Sequence, residues 1–310
     1  MNNELKLINQ SDTLKNFVKN KTKTNSCGLI VSKDERLLKA ISVYTAMAMA
    51  CKKENPCFEC FNCQKIITNN AIEVFSYPKF KDDISVKDVE EFVNSLIKRP
   101  MDFDKKIYIF NRIDRASIEA QNKLLKSMEE FPLYARLIFT ATNTRQVLPT
   151  ILSRVTTNYV PMISFNEYEK ILNQFNGENS LPLNAIYDLS EGNLFSGKDM
   201  LADENIKEIY DNCLDILSQL NSENISRYSQ IINKSNLTDY LKILSLIISK
   251  MLMGKQNLIQ DFQVINQKFT LKALIKIADL VHYSNKKIKS NTNEQSIIDN
   301  LLIGIMEAKL

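Results

Sequence analysis

Four of the six cysteines of this 310-residue chain fall within thirteen residues of each other. They are Cys51, Cys57, Cys60 and Cys63, and the last three are spaced C-x2-C-x2-C. Four thiolates can surround one Zn²⁺ tetrahedrally, with each sulfur about 2.3 Å from the metal, and they leave no position for a substrate. Pro56 and the short spacers favour tight turns that bring the thiols together. The spacing therefore predicts a structural Zn²⁺ site.

Clustered cysteines also serve other chemistries. A C-x-x-C pair can cycle between dithiol and disulfide, four thiolates can hold an iron–sulfur cluster, and the thiols can carry no ligand at all. Four free thiols this close together would be prone to oxidation, which favours the metal. A Zn²⁺ ion here would stabilise an insertion that is too small to have a hydrophobic core of its own.

Arg154 is the second residue whose chemistry can reach another molecule. Its guanidinium is planar, permanently charged and able to bind phosphate through two parallel hydrogen bonds. It follows the segment Leu-Pro-Thr-Ile-Leu-Ser at 148–153, in which the proline is typical of the start of a short helix. From these residues alone, a surface charge is the default explanation of Arg154.

Buried strands and helices alternate around these residues. The runs at 107–110 and 137–140 are β-branched and aromatic without clean alternation, as expected of strands buried on both faces of a parallel sheet. Ser117 is placed to cap the helix between them, and an earlier strand at 27–32 leads into a helix at 34–50. The apolar positions of the helix after Ser117 recur at three and four residues, and they are Ala120, Leu124, Leu125, Met128 and Phe131. This pattern predicts an α/β domain with a parallel sheet.

A further strand and helix are predicted between these βα units. The strand covers 72–77, and the helix begins at Ser85, with Asp88 three residues later as in a capping box. The apolar residues of this helix are expected on one buried face, and they are Val86, Val89, Phe92, Val93 and Leu96. The helix is predicted to end before Pro100 and to serve as scaffold.

The turn at 32–36 lacks what a phosphate-binding loop needs. Such a loop uses glycines so that backbone amides can wrap the phosphates, together with a lysine and a Ser or Thr that binds magnesium. Here the turn reads Ser-Lys-Asp-Glu-Arg, without glycine, and Asp34 and Glu35 would lie where phosphate binds. Lys33 is then explained as a surface lysine. The turn predicts that the chain binds no nucleotide and has no ATPase activity of its own.

The residues at 120–130, Ala-Gln-Asn-Lys-Leu-Leu-Lys-Ser-Met-Glu-Glu, and those at 148–154, Leu-Pro-Thr-Ile-Leu-Ser-Arg, resemble the delta-prime subunits of the bacterial DNA polymerase III clamp loader. That family belongs to the AAA+ superfamily and includes the gamma and tau ATPase subunits. The resemblance covers about residues 27–160. Val155 replaces the cysteine that follows Ser-Arg in the family, and Asn-Ala-Ile-Glu at 70–73 replaces its His-Pro-Asp.

The resemblance implies an architecture. An AAA+-like α/β domain with a parallel sheet and the zinc module would cover 1–161. A small helical lid domain would cover 162–205, and an all-α collar domain for oligomerisation would cover 206–310. Asn176-Gly177 is expected to stop the first lid helix, a second helix is expected at 182–189, and Glu191 and Gly192 are expected in the turn after that second helix.

The resemblance also implies roles. Arg154 would complete the ATP site of a neighbouring gamma/tau-type subunit in trans. Asp114 is the last acid of the family's acidic run, whose catalytic carboxylates are lost here, and it is better explained as a turn carboxylate. The polar residues at 140–143 occupy the family's nucleotide-sensing place and more simply end a strand. The implied partners are the gamma/tau-type ATPase and delta subunits, with the sliding clamp and primed DNA reached through the complex.

Composition bounds the remaining possibilities. A net charge of +4 is small for 310 residues, so no strong electrostatic footprint for nucleic acid is expected. The most apolar C-terminal run, 243–253, is short and contains Lys250, and the N-terminus has no apolar signal segment. We therefore expect a cytoplasmic protein, outside any membrane, with reduced cysteines. The single histidine, His282, is explained by packing or exposure within a helical pattern.

Two other functions stay open. The chain could be an active ATPase of the gamma/tau type, which would require nucleotide binding despite the turn at 32–36. It could also be a zinc-ribbon nucleic-acid-binding protein, for which aromatic and basic residues around the cysteines are thin support. Those residues are Phe58, Phe61, Lys52, Lys53 and Lys65.

Overall fold

The computed structural model describes residues 2–22, 26–80, 82–129, 131–175, 181–253, 268–288 and 293–309. The chain divides into two compact units, Met1–Ile171 and Leu172–Leu310. We call them unit 1 and unit 2. Unit 1 contains all the described strands, and unit 2 is helical in its described residues.

The sheet of unit 1 contains five parallel strands. They are β1 (Cys27–Val31), β2 (Val74–Tyr77), β3 (Lys106–Phe110), β4 (Ala135–Ala141) and β5 (Thr156–Tyr159). Their order across the sheet is β2-β3-β4-β1-β5, and every pairing is parallel. The strands that the sequence predicts are confirmed to within two residues at each end.

Helices precede, connect and follow these strands. They are α1 (Asn2–Gln10), α2 (Asp12–Phe17), α3 (Glu35–Ala50), α4 (Phe61–Ile67), α5 (Val86–Leu96), α6 (Ile118–Glu129), α7 (Pro149–Leu152) and α8 (Phe165–Leu172). The caps predicted at Ser85 and Ser117 are confirmed, and Asp34 provides a further cap. Asp34 accepts a hydrogen bond from the amide of Arg36 at 2.7 Å, Ser85 and Asp88 form a reciprocal capping box, and Ser117 Oγ accepts from the amide of Ala120 at 3.2 Å. Local side-chain chemistry therefore sets where these helices begin.

The core of unit 1 is aromatic at its centre. Phe110 of β3 stacks on Tyr77 and Phe139, with ring centroids 5.0 and 5.1 Å apart. The ring of Phe92 of α5 is perpendicular to the ring of Phe110, and their centroids are 5.2 Å apart. The prediction that Val93 lies on the buried face of α5 is wrong, because Val93 is exposed while Phe92 is buried. One residue along a helix is a rotation of about 100°, which moves Val93 from the buried face towards solvent.

The sequence predicts one N-terminal helix, with few apolar residues, at 12–18, and α2 confirms it, whereas α1 was not predicted. In the structure α1 packs against α3 and α2, with Leu5 and Ile8 fully buried. Glu167 of α8 accepts hydrogen bonds from Ser11 Oγ at 2.6 Å and from the amide of Thr13 at 3.0 Å. These contacts join the start of unit 1 to its last helix.

Unit 2 continues with helices. They are α9 (Leu183–Leu189), α10 (Leu194–Leu201), α11 (Glu204–Gln219), α12 (Ile225–Ile231), α13 (Leu237–Leu252), α14 (Leu271–Ile288) and α15 (Glu294–Ala308). The turn before α10 is as predicted, since Glu191 and Gly192 both have positive φ, at 52° and 73°. His282 is exposed on α14. The predicted stop at Asn176-Gly177 lies outside the described residues.

The packing of unit 2 is centred on α13, which contacts α11, α14 and α9. Its apolar face is buried, and α14 in turn packs against α15. Among the helices that the structure describes, none has both the length and the apolar character needed to cross a membrane. The division of this region into a lid at 162–205 and a collar at 206–310 stays a prediction.

Candidate functional site

The four predicted metal ligands come together in the connection between α3 and α4. Cys51 follows the end of α3, Cys60 precedes α4, and Cys63 lies in the first turn of α4. All four Sγ atoms lie within 4.8 Å of one another, and Cys51 Sγ is 3.8 Å from Cys57 Sγ and 4.0 Å from Cys60 Sγ. Sulfurs placed 2.3 Å from a tetrahedral metal are about 3.8 Å apart. The cluster therefore has the donor set and spacing of a four-thiolate metal centre.

The thiols of this cluster differ in their electrostatics. Hydrogen bonds from the amides of Glu59 and Cys60 lower the pKa of Cys57 to about 6, and the Cys60 amide lies 3.3 Å from Cys57 Sγ. Burial instead raises the pKa of Cys63. A buried thiol with a raised pKa gives up its proton when a cation binds beside it. A bound metal ion would hold all four sulfurs as thiolates, so the residues fit a metal ion.

Two of the aromatic and basic residues beside the cluster, Phe61 and Lys65, are engaged within the chain. Phe61 is exposed, but the Lys65 ammonium lies 4.3 Å from the centroid of its ring. Lys65 also forms an ion pair with Asp102. Phe58 occupies a left-handed turn, with φ of 63°, between two of the cysteines. Lys65 is thus paired within the chain, which weakens the case for a nucleic-acid contact here.

Arg154 lies at the surface between α7 and β5. Its Nη1 donates to the carbonyl oxygen of Thr150 at 3.1 Å, and its Nη2 donates to Glu129 Oε1 at 2.6 Å. The same Thr150 oxygen accepts from Ser153 Oγ at 2.9 Å. The short helix predicted from the proline is confirmed, with Pro149 in its first turn. The guanidinium is therefore held between α7 and the end of α6.

The buried side-chain amide of Gln121, which the sequence did not predict, holds the segment before Arg154 in place. Gln121 of α6 is buried, its Nε2 donates to the carbonyl oxygens of Ala116 and Gln146 at 3.1 Å, and its Oε1 accepts from the amide of Leu148 at 2.9 Å. These bonds fix the segment that begins α7. The signal in the sequence was a polar residue beside the apolar stripe of α6, which pattern alone assigns to the surface.

Arg154 and the turn at 32–36 lie at opposite edges of the sheet. In the parallel pair of β1 and β5, Gly28 is level with Thr156 and Val31 is level with Tyr159. Arg154 therefore leads into the amino end of β5, whereas the turn follows the carboxyl end of β1. A strand rises about 3.3 Å per residue, so these levels alone are about 10 Å apart. The sheet thus separates Arg154 from the chain's own turn.

A cluster of ion pairs occupies the sheet edge beside that turn. Glu35, in the first turn of α3, pairs with Arg112 and accepts from Arg115 Nη2 at 3.0 Å. Arg112 also donates Nε and Nη2 to Asp114, at 3.0 and 2.9 Å. The backbone of Arg112 is left-handed, with φ of 58°, and its amide donates to Thr140 Oγ1 at 3.0 Å. A carboxylate of the chain itself thus meets two guanidiniums at a helix start, where a phosphate would bind in a nucleotide site.

Asp114 is a structural carboxylate in this cluster. It lies in a short 3₁₀ segment, Ile113–Arg115, as the turn interpretation predicts, but it is also buried. Burial opposes its ionisation, yet hydrogen bonds from Arg112 and Thr142 outweigh burial and hold the pKa of Asp114 below its ordinary value. Thr142 Oγ1 lies 2.9 Å from Asp114 Oδ2. Thr142, which follows the end of β4, therefore serves this internal network.

Asp114→Asn is expected to destabilise unit 1 by about 2 to 3 kcal/mol, somewhat less than the loss of a fully buried ion pair, because Arg112 keeps Glu35. The folded-state pKa of Asp114 lies below the unfolded one. Its stabilising contribution is therefore present above the unfolded pKa, near 4, and is lost as pH falls through the folded pKa. Urea unfolding at pH 7 and at pH 3 measures both effects.

The matched control is Asp104→Asn, because Asp104 is exposed. We expect that change to leave the free energy of unfolding at pH 7 within about 0.5 kcal/mol of the wild-type value. The difference in the free energy of unfolding between wild type and Asp114→Asn should be smaller at pH 3 than at pH 7. A difference that stays constant from pH 7 to pH 3 would show that ionised Asp114 does not stabilise the fold.

Comparison with known proteins finds similarity to subunits of DNA polymerase III. A family model described as DNA polymerase III, delta subunit matches residues 8–163. The DNA polymerase III subunit gamma/tau of Mycoplasma genitalium is 25% identical over 256 residues, which are 79% of this chain and 41% of that protein. The subunit gamma of Buchnera aphidicola subsp. Baizongia pistaciae is 30% identical over 125 residues, 39% of this chain and 34% of that protein. The chain thus spans less than half the length of these relatives.

Two solved structures show weak likeness over nearly the whole chain. A DNA polymerase III gamma subunit-related protein of Thermotoga maritima has a TM-score of 0.47 and 18% identity, and covers 97% of this chain and 100% of its own. The DNA clamp loader delta protein of Bacillus subtilis has a TM-score of 0.38 and 9% identity, and covers 96% of this chain and 99% of its own. Likenesses of this strength carry no inference about function.

Proposed function

This chain belongs to the family described as DNA polymerase III, delta subunit, and we propose that it acts in the clamp loader of that polymerase as a delta-prime-type subunit. In this role it hydrolyses no ATP itself. It donates Arg154 to the ATP site of a neighbouring gamma/tau-type subunit. A delta subunit is a further partner, and the sliding clamp and primed DNA are reached through the complex, in the cytoplasm.

The observation that carries this proposal is the ion-paired carboxylate of Glu35 in the turn at 32–36. A nucleotide site needs free backbone amides and positive charge at the start of the helix after β1. In this chain Glu35 places a carboxylate there, and Arg112 and Arg115 are paired with it. A triphosphate would have to displace that carboxylate without the help of glycine amides. The chain's own edge of the sheet is therefore unsuited to ATP.

The position of Arg154 supports its action on another subunit. It lies at the other edge of the sheet from the turn, its guanidinium is partly exposed, and α7 and α6 hold it in place. An arginine that enters a neighbour's site stabilises the charge that develops on the γ-phosphate during transfer. The chemistry needs the guanidinium and not the residue after it, and Val155 is half-buried against the apolar core.

The cysteine cluster supports a structural metal. We assign Zn²⁺ to Cys51, Cys57, Cys60 and Cys63, because four thiolates in tetrahedral spacing close the coordination shell. When bound, the ion would hold the ends of α3 and α4 together. It would take no part in ATP hydrolysis. The AAA+-like assignment of unit 1, with a lid at 162–205 and a collar at 206–310, belongs to the same proposal.

An active gamma/tau-type ATPase is the second candidate, since the curated relatives described above are gamma or tau subunits. Nucleotide binding separates the two. We expect 1 mM Mg-ATP to shift the melting temperature of the wild-type chain by less than about 0.5 °C, because a ligand far below its Kd adds almost no stability. Differential scanning fluorimetry, with a gamma/tau-type subunit as the positive control, makes the measurement. A saturable stabilisation by Mg-ATP would favour the active ATPase instead.

A further inference from the structure

Glu129 binds Arg154 from a position that α6 itself does not favour. It is the last residue of α6, and its Oε1 lies 2.6 Å from Arg154 Nη2. The C-terminal end of a helix carries partial negative charge, so a carboxylate there is unfavourable for the helix. The contact with Arg154 offsets that repulsion. The arginine therefore explains the place of Glu129 better than the helix does.

The remaining contacts of the guanidinium leave room for another ligand. A guanidinium has five N–H donors. In the described part of the chain, one of these donors is bonded to Glu129 and one to the carbonyl oxygen of Thr150. The ion pair is open to water, since the side chains of Arg154 and Glu129 are 39% and 54% exposed. An exposed ion pair contributes little stability, so it exchanges readily for a stronger anion.

A phosphate and Glu129 would compete for the same guanidinium. Phosphate oxygens carry more negative charge than a carboxylate and suit the two parallel donors of arginine. A phosphate bound to Arg154 would also bring like charge close to the Glu129 carboxylate, which is unfavourable. Binding of the phosphate is therefore expected to release Glu129.

We propose that Glu129 is a positioning residue that holds Arg154 within the chain and is displaced when the phosphate of a neighbouring subunit's nucleotide binds the guanidinium. This inference rests on the proposed function, since it requires that Arg154 reaches that nucleotide. Glu129 would then lower the affinity of the neighbouring site for nucleotide, because its contact with Arg154 must be lost before Arg154 can bind the phosphate.

Glu129→Gln tests the exchange in the complete assembly with its ATPase subunits, sliding clamp and primed DNA. Loss of the carboxylate charge removes the competitor, so we expect the KM for Mg-ATP to fall about two- to fivefold while kcat changes by less than twofold. A fivefold change corresponds to about 1 kcal/mol, the upper end for an exposed ion pair. In an Arg154→Ala background the same substitution should have no effect on KM.

The chain offers a closely matched control in an ion pair that joins α6 to α5. Lys123 of α6 pairs with Glu90, and these side chains are 38% and 54% exposed. Glu90→Gln therefore removes an ion pair of equal exposure that does not involve Arg154. We expect it to leave both KM and kcat unchanged.

Three results would overturn the exchange. An unchanged KM in Glu129→Gln, with Arg154→Ala still slowing hydrolysis, would make the contact a surface ion pair only and leave the proposed function intact. A lower kcat at unchanged KM would show that Glu129 stays on Arg154 in the active state. If Arg154→Ala itself has no effect, the proposed function fails, and this inference fails with it.

Discussion

If the chain stimulates ATP hydrolysis by the proposed gamma/tau-type partners, Arg154→Ala is expected to remove most of that stimulation. An arginine supplied to a neighbour's site contributes on the order of 10³-fold to phosphoryl transfer at that site. The loss in the whole assembly is smaller wherever other sites keep their own arginines. Steady-state ATP hydrolysis with sliding clamp and primed DNA measures it, with the wild-type chain assayed in parallel.

Two variants make this result specific. Arg154→Lys keeps the charge but not the planar fork that binds phosphate through two bonds, so we expect a rate between those of wild type and Arg154→Ala. Arg145→Ala changes an exposed arginine that follows the carboxyl end of β4, at the other edge of the sheet. That variant should stimulate like wild type. If Arg154→Ala assembles with its partners and stimulates them fully, Arg154 is only a surface charge.

Cys63→Ser is expected to lower the zinc content from about one ion per chain to near zero. Structural zinc sites bind with about 10 to 16 kcal/mol near neutral pH, and that binding energy supports folding. Each kcal/mol lost lowers the melting temperature of a domain of this size by about 2 to 4 °C, so the loss of only about 3 to 5 kcal/mol of that energy already gives the fall on the order of 10 °C that we expect. Metal analysis and thermal unfolding measure the two effects.

Cys27→Ser is the matched control, because Cys27 is a half-buried cysteine outside the cluster. It should keep its zinc. A protein that contains no zinc when purified without chelators, or a Cys63→Ser variant that keeps the metal, would contradict the assignment. Iron in place of zinc would favour the iron–sulfur alternative. ATPase stimulation should survive in whatever fraction of Cys63→Ser stays folded, since the metal lies outside the chemistry.

Several features of the fold could be read from local sequence because local physics decides them. The predicted caps at Ser85 and Ser117 depend on a side-chain oxygen and an amide three residues away. The strands of the parallel sheet are apolar along their whole length, since both faces are buried. The cysteine cluster was predictable because its ligands lie within thirteen residues.

Contacts between distant residues were not predictable. The burial of Gln121 was not predicted, because this side chain bonds to a segment more than twenty residues away. Val93 was assigned to the buried face of α5 and is exposed. The contact of Glu129 with Arg154 joins residues 25 positions apart in sequence. In each case the partner is chosen by how helices and strands pack, which periodicity does not encode.

The sequence by itself determined that this chain has a parallel α/β region, four metal-type cysteines and a first βα turn without glycine, because each is a property of neighbouring residues. Only the tertiary structure decided that Glu35 is paired with Arg112 and Arg115 beside that turn, and that Arg154 lies at the opposite edge of the sheet. The pairing follows from the strand order, which brings residues from separate connections to one edge of the sheet. The place of Arg154 follows from the register of β1 and β5. Burial of Asp114 beside Arg112 then makes the cluster part of the fold's stability.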